Sequence, residues 1–232
     1  MSDDARTTET RRRLIEATME TIRTQGIAKV SARTIAAAGG VNQALVSYHF
    51  GTVDALIAHA CVVSTRERVD SFRARFEAVA TFTGLVQLGR SLHEEEAALG
   101  NVTVLSQTLA GSQANPALAA ATGEALGLWT EELERVLGRL LADSPFGELL
   151  EPGLLAELVS SAFIGIELVA PTRVATGDGA PGARGIPASG VAGTRTADTA
   201  GDALARLEGL ARSIDGLGPV ARRALRSVLR RV

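Results

Sequence analysis

The segment GVNQALVSYHFG, residues 40–51, carries several side chains that can recognise a hydrogen-bonding surface. A glutamine can form paired hydrogen bonds with adenine, and an alanine methyl can contact the methyl group of thymine. Serine and tyrosine hydroxyls and the histidine ring can reach phosphate oxygens or base edges. Glycines at both ends mark turns, so a short helix is predicted between them. This helix either contacts a partner or fills a core.

Three further helices are predicted to position this segment. A first helix over residues 8–25 has an apolar stripe and ends at Gly26. Ser31 is a suitable N-cap for a short second helix, ARTIAAAG, which closes at the glycine pair 39–40. Asn42 can cap the third helix over residues 43–50. Thr52 can then cap a long fourth helix, so the four elements follow one another with tight turns.

Two short helices joined by a glycine-containing turn and buried by neighbouring helices are typical of a helix-turn-helix. In such a unit the second helix keeps a few apolar anchors inside and exposes polar residues near its N-terminus. Val41, Val46 and Phe50 are the predicted anchors. The predicted outward residues are Asn42, Gln43, Ala44, Ser47, Tyr48 and His49.

Residues 8–58 resemble the DNA-binding domain of the TetR family of transcriptional regulators. The resemblance rests on TRRRLIEATMETIRTQG followed by VSARTIAAAGGVNQALVSYHFGTVDAL, in the order and spacing of the family. It implies a homodimer whose third helices enter the major groove of a palindromic operator in double-stranded DNA. It also implies a helical C-terminal domain that dimerises and binds a small-molecule effector.

The resemblance also suggests which residues contact DNA. Recognition-helix positions are matched by Gln43, Ala44, Leu45, Ser47, Tyr48 and His49, and contacts from the preceding helix by Ser31 and Arg33. Leu45 conflicts with an anchor role and is left out of the predicted site. The family usually has an aromatic residue where Ser47 stands and a phosphate-binding lysine where Val53 stands. We therefore expect Thr52, Lys29 or the cluster of residues 11–13 to supply a phosphate contact.

The charge distribution agrees with this division of the chain. The whole protein has a net charge of −2, but residues 1–53 contain seven basic and five acidic residues. A positive N-terminal part suits phosphates, whereas the remainder is net acidic. We therefore predict an all-α protein with a helix-turn-helix domain over residues 1–53 and a larger effector-binding and dimerisation domain over residues 54–232.

The predicted C-terminal domain contains long helices and one irregular segment. Asn115 and Pro116 start a helix that continues to about Ala142. Residues 154–170 are apolar nearly all round, which indicates burial inside a core or between the core and a partner. Residues 171–201 contain ten glycines or prolines and no leucine, so a flexible loop is predicted. An apolar stripe over residues 204–214 and the helix over 154–170 are the predicted dimer interface.

Trp129, Phe163 and Glu167 are the candidate residues for the effector pocket. Trp129 and Phe163 are either core residues or pocket walls. Glu167 is the only charge between Glu157 and Arg173. A charge in so apolar a helix has to be paired, hydrogen-bonded or near solvent, so it can serve a polar ligand group or a dimer contact.

Other classes of function find less support. The lone Cys61 excludes a disulfide within the chain and is predicted to be buried. No nucleophile and base pair, metal-ligand spacing or phosphate-binding glycine loop is recognisable, so we predict neither an enzyme nor a metal or cofactor. No stretch has the apolar length of a membrane span, and a cytoplasmic location is expected. The alternatives are a DNA-binding regulator controlled without a small ligand and, more remotely, a helical enzyme or scaffold.

Overall fold

The computed structural model describes residues 3–142, 144, 146–147, 149–174, 199–218 and 221. Within these ranges the chain forms α-helices joined by turns and no strand, so the all-α prediction is confirmed. The α-helices are α1 (Asp3–Gln25), α2 (Ala32–Gly39), α3 (Ala44–Phe50), α4 (Val53–Glu77), α5 (Phe82–Ala98), α6 (Asn101–Ser112), α7 (Pro116–Ala142), α8 (Pro152–Val174) and α9 (Thr199–Asp215). A single 3-10 turn, Ile27–Lys29, joins α1 to α2.

Helix α1 is longer than its sequence predicted, because it begins at Asp3 rather than near residue 8. Acidic residues at a helix N-terminus interact favourably with the positive end of the helix dipole, which the apolar periodicity does not register. Its predicted apolar stripe is confirmed, since Leu14, Thr18 and Ile22 are fully buried. The Thr18 hydroxyl donates to the Leu14 carbonyl oxygen at 2.7 Å, which removes the cost of burying it.

The first three helices enclose a small core. Leu14 of α1, Ile35 of α2 and Val46 of α3 meet there, with Leu56 of α4 closing one side. Each of the four is at most 1% exposed. Burying such a side chain contributes about 1.5 to 3 kcal/mol, so these contacts hold the short helices α2 and α3, which would not be stable alone.

Helix α4 connects this core to the rest of the chain. Its N-terminal half packs on α1, and its length packs along α7. Cys61, predicted to be buried, lies in the cluster shared by α1, α4, α6 and α7 and is 5% exposed. Farther along, Phe72 and Phe76 of α4 pack against Trp129 of α7 with ring centroids 6.1 and 6.3 Å apart.

Helix α9 packs against α5, and the contact includes a cap that the sequence did not reveal. The Asp215 carboxylate accepts hydrogen bonds from the backbone N–H groups of Phe82 (3.1 Å) and Thr83 (2.8 Å) at the start of α5. Thr81 caps the same helix by accepting from Gly84 N. Two acceptors therefore satisfy the N–H groups that the first turn of a helix leaves unpaired.

Helix α8 packs on α7 through Ala156, which is fully buried, but Leu154 and Leu158 on the same helix are more than half exposed. The helix continues to Val174 and α9 begins at Thr199, so both edges of the predicted loop 171–201 are helical. Residues 175–198 of that loop lie outside the described residues. Within the described ranges no single helix has the length and hydropathy of a membrane span, and α3 with α4 meets that test only as a pair bent by 66°.

Candidate DNA-binding surface

The start of α2 is fixed by a reciprocal capping box. The Ser31 hydroxyl accepts a hydrogen bond from Thr34 N at 3.2 Å, and the Thr34 hydroxyl accepts one from Ser31 N at 2.9 Å. This confirms Ser31 as the predicted N-cap. Arg33 follows in the first turn with an exposed side chain. Two residues near the start of α2 are predicted to contact DNA. The Arg33 side chain is exposed to solvent, whereas the Ser31 hydroxyl is already engaged in the N-cap of the helix.

The turn between α2 and α3 depends on Gly40. Its φ angle is +59°, in the left-handed region that residues with a side chain rarely adopt. Asn42 follows, and its Oδ1 accepts from Ala44 N at 2.9 Å. The N-cap position of α3 is Gln43, which makes no side-chain cap hydrogen bond, so the predicted cap Asn42 lies one residue before it. Helix α3 begins at Ala44, one residue later than predicted, which leaves Gln43 in the turn that enters the helix.

Helix α3 divides into a buried face and an exposed face. Val46 is 1% exposed, and Val41, Leu45 and Phe50 pack partly buried around the same core. The anchor prediction for residues 41, 46 and 50 is therefore confirmed. The structure brings together on one exposed surface Asn42, Gln43, Ala44, Ser47 and Tyr48.

Two aromatic rings lie at the edge of this surface. Tyr48 is 81% exposed, which is unusual for a residue that could bury its ring. Its neighbour His49 is half-buried, and the two rings meet edge to face with centroids 4.8 Å apart. Most of the Tyr48 side chain is therefore accessible to a partner, whereas the half-buried His49 is only partly accessible.

Thr52 ends the surface and starts α4. Its hydroxyl oxygen accepts from Ala55 N at 3.0 Å, which confirms the predicted cap. A hydroxyl that accepts in this way keeps its own O–H free to donate, so the exposed Thr52 can still bond to a phosphate oxygen. Lys29, in the turn before α2, is also exposed.

The arginines at positions 11–13 are arranged differently from the expected phosphate-binding cluster. Arg11 Nη1 donates to the His49 carbonyl oxygen at 2.9 Å, and its guanidinium lies 4.4 Å from the centre of the Phe50 ring. Arg13 Nη2 donates to the carbonyl oxygens of residues 39 and 40 at 2.5 and 3.2 Å. Arg12 pairs with Glu9 and Glu16 within α1. The sequence did not reveal the contacts of Arg11 and Arg13 because they join residues 26 to 38 positions apart.

The residues predicted to line an effector pocket lie in separate elements. Trp129 of α7 belongs to the aromatic cluster with α4, and Phe163 of α8 is 36% exposed. The Phe163 ring meets the His93 ring of α5 edge to face at 5.6 Å. Glu167 lies in α8, and its side chain is outside the described residues. Their pocket role stays a prediction.

Helix α6 touches the N-terminal helices through two polar contacts. Gln107 Oε1 accepts a hydrogen bond from Ile27 N at 2.5 Å, in the turn that leads to α2. Arg23 Nε donates to Asn101 Oδ1 at 3.2 Å. A cavity of about 200 Å³ lies near the first of these contacts, lined by residues of the 3-10 turn, α4, α6 and α7. A displacement of α6 would therefore change the hydrogen bond between Gln107 and the 3-10 turn that joins α1 to α2.

Several leucines of α8 and α9 are exposed in the part of the chain that the structure describes. On α8 the exposed residues include Leu154 and Leu158, at 54% and 58%, and on α9 they include Leu207 and Leu210, at 50% and 60%. Exposed leucines of this kind are candidates for an interaction site. Both helices belong to the predicted dimer interface.

Comparison with known proteins supports the resemblance seen in the sequence. Residues 14–60 match the family model described as bacterial regulatory proteins, tetR family. No curated protein matches the chain. A TetR-family regulator from Rhodococcus sp. superposes with a TM-score of 0.64 at 18% identity, covering 89% of this chain and 98% of its own.

Two further solved structures contain small molecules. A transcriptional regulator from Saccharomonospora viridis in complex with choline has a TM-score of 0.56 at 20% identity, covering 71% of this chain and 86% of its own. The multidrug binding protein EbrR complexed with imidazole has a TM-score of 0.54 at 23% identity, covering 85% of this chain and 93% of its own. At these identities the matches establish the fold.

Proposed function

We propose that this chain, whose N-terminal domain belongs to the TetR family of bacterial regulatory proteins, is a homodimeric repressor released from its operator by a small molecule. The observation that carries the proposal is the division of α3 into a buried anchor face and an exposed polar face. Val46 is 1% exposed and Tyr48 is 81% exposed, two residues apart on one short helix. A helix that served only the core would not present its aromatic residue to solvent.

In this proposal α3 enters the major groove of double-stranded DNA. Gln43 and Ala44 stand at its N-terminal end, where recognition helices approach base edges. Gln43 reads adenine, the Ala44 methyl contacts thymine, and Tyr48 and Ser47 reach base edges or phosphates. Arg33 and Thr52 flank the helix and, with Asn42, Ser31 and His49, complete the proposed contact surface.

The dimer is formed by the exposed leucines of α8 and α9. A two-fold related copy would place these stripes against each other and bury them, as isologous interfaces do. The two α3 helices must then stand about 34 to 36 Å apart to reach successive major grooves of a palindromic operator. In this arrangement residues 1–53 read DNA and residues 54–232 bind the effector and dimerise.

The effector acts by changing the spacing of the two α3 helices. Structural relatives with bound choline or imidazole support a small-molecule site in this fold. Trp129, Phe163 and Glu167 are the proposed pocket residues, and Gln107 is the proposed link from α6 to the start of α2. By linkage, an effector that weakens operator binding by a given factor is itself bound more weakly by the same factor when operator is present.

Selection of bound fragments from a pool of random DNA tests the proposal. We expect an inverted repeat whose half-sites are about 10 to 10.5 base pairs apart, or a multiple of that spacing. A variant carrying Gln43→Ala and Tyr48→Ala is the matched control, because both side chains are exposed and their loss should leave the fold intact. Failure of the wild-type protein to enrich any sequence would refute DNA recognition, and enrichment of a single unrepeated site would refute the dimeric arrangement.

A further inference from the structure

Two arginines of α1 are placed at the C-terminal ends of the two helices in the helix-turn-helix. Arg11 donates to the carbonyl oxygen of His49 in the last turn of α3, and Arg13 donates to the carbonyl oxygens of Gly39 and Gly40 at the end of α2. Carbonyl groups at a helix C-terminus lack partners within the helix and carry the negative end of its dipole. A guanidinium group satisfies both requirements at once.

Arg11 also stacks on the helix it caps. Its guanidinium carbon lies 4.4 Å from the centre of the Phe50 ring, within the range of a cation–π contact. Phe50 in turn packs on His59 of α4, with ring centroids 5.5 Å apart. The side chain of Arg11 is half-buried. One planar group thus joins α1 to the end of α3 by a hydrogen bond and a stacked face.

Helix α3 has only seven residues, so its orientation depends on contacts with its neighbours. A small tilt of α3 would move Gln43 and Tyr48 relative to the bases, although the helix itself stayed formed. We propose that Arg11 and Arg13 are positioning residues for operator recognition, holding the ends of α3 and α2 on α1, rather than phosphate ligands. This inference rests on the DNA-binding function proposed above.

The salt dependence of operator binding separates the two roles. A residue that neutralises a phosphate contributes to the slope of log affinity against log salt concentration, and its loss reduces the magnitude of that slope by about 1. A positioning residue lowers the affinity without changing the slope. For Arg11→Met we expect operator affinity to fall by about tenfold or more, the loss expected for a charged hydrogen bond, with the slope of the wild type.

Conservative and neighbouring substitutions sharpen the test. Arg11→Lys keeps the charge but loses the planar guanidinium, so we expect it to bind operator nearly as weakly as Arg11→Met. A phosphate ligand would be largely rescued by lysine. Arg12→Met is the matched control, since Arg12 is exposed and pairs only with glutamates of its own helix in the described contacts. We expect it to leave α3 unchanged.

Two readouts without DNA test the role of Arg11 in the fold separately from the proposed function. Backbone amides of residues 44–51 should exchange hydrogen faster in Arg11→Met than in the wild type or Arg12→Met. The pKa of His59 lies below its ordinary value because the ring is partly desolvated and faces the Arg11 charge. In Arg11→Met the His59 pKa, followed by NMR, should therefore rise.

The outcomes are distinct. Faster exchange in α3 together with weaker binding at an unchanged slope supports the inference. Unchanged exchange in Arg11→Met would overturn it, as would a reduced slope with rescue by lysine. If no variant and no wild-type protein binds DNA, the proposed function fails, whereas the exchange results still decide whether Arg11 holds α3. Arg13→Met tests the other end in the same way through the amides of residues 36–42.

Discussion

Replacing Val46 and Tyr48 separately by alanine should separate stability from DNA recognition on one helix. The two residues are two positions apart in α3, but Val46 is 1% exposed and Tyr48 is 81% exposed. Val46→Ala removes two buried methyl groups. At about 0.8 kcal/mol for each, with an added cost for the cavity, it should lower the free energy of unfolding by about 1.5 to 3 kcal/mol.

Tyr48→Ala should have the opposite profile. Most of its side chain already contacts solvent, and its ring meets the neighbouring His49 ring edge to face. We expect the free energy of unfolding to change by less than about 1 kcal/mol. Loss of one specific contact in each half-site should weaken operator binding by about 1 to 3 kcal/mol per half-site, or roughly fivefold to 150-fold.

Urea unfolding followed by far-UV circular dichroism measures the first quantity, and fluorescence anisotropy with labelled operator measures the second. Protein concentration must be the same for all variants, because the stability of a dimer depends on it. If Tyr48→Ala destabilises the protein as much as Val46→Ala, the exposed face of α3 has been mistaken for a packed one, and the proposed reading surface is wrong.

Three other predictions concern the rest of the molecule. Burial raises the pKa of the Cys61 thiol to about 11, so at pH 8 a thiol reagent should label it far more slowly in the native protein than in urea, and equal rates would contradict its burial. Leu158→Glu should shift the protein from dimer to monomer in analytical ultracentrifugation; an unchanged dimer would place the interface elsewhere. Gln107→Leu leaves the Ile27 N–H without its acceptor, and should lower the free energy of unfolding by about 1 to 3 kcal/mol, whereas an unchanged urea midpoint would show that the contact is dispensable.

Much of the N-terminal fold could be predicted because its signals are local. Ser31 and Thr52 cap helices as the sequence indicated, and each does so by accepting from an N–H three residues away. The buried position of Val46 follows from helical periodicity. Such rules act within one turn of a helix, and a single sequence is sufficient to apply them.

Contacts between distant residues could not be predicted in the same way. Arg11 to Arg13 looked like an exposed basic cluster, yet two of the three donate to backbone carbonyls that are far away in sequence. Backbone carbonyls are present at every residue, so no residue type at the receiving end reveals the contact. The same holds for Asp215, whose carboxylate caps α5 from more than 130 residues away.

Helix α8 shows a different limit. Its sequence is apolar nearly all round, and this pattern indicated burial without saying against what. The structure buries Ala156 against α7 and leaves Leu154 and Leu158 exposed. An apolar sequence indicates that a helix is buried. It does not identify the element or partner that buries it, because this depends on the whole fold.

The claim that α3 reads DNA is tested most directly by repeating the selection from random DNA with Gln43→Ala. Gln43 is exposed at the start of α3 and can form paired hydrogen bonds with adenine. We predict that the variant enriches the same inverted repeat but loses its preference at one symmetric pair of positions, one in each half-site. Enrichment of an unaltered site with an unaltered affinity would contradict the account, because Gln43 would then make no contact that distinguishes one base from another.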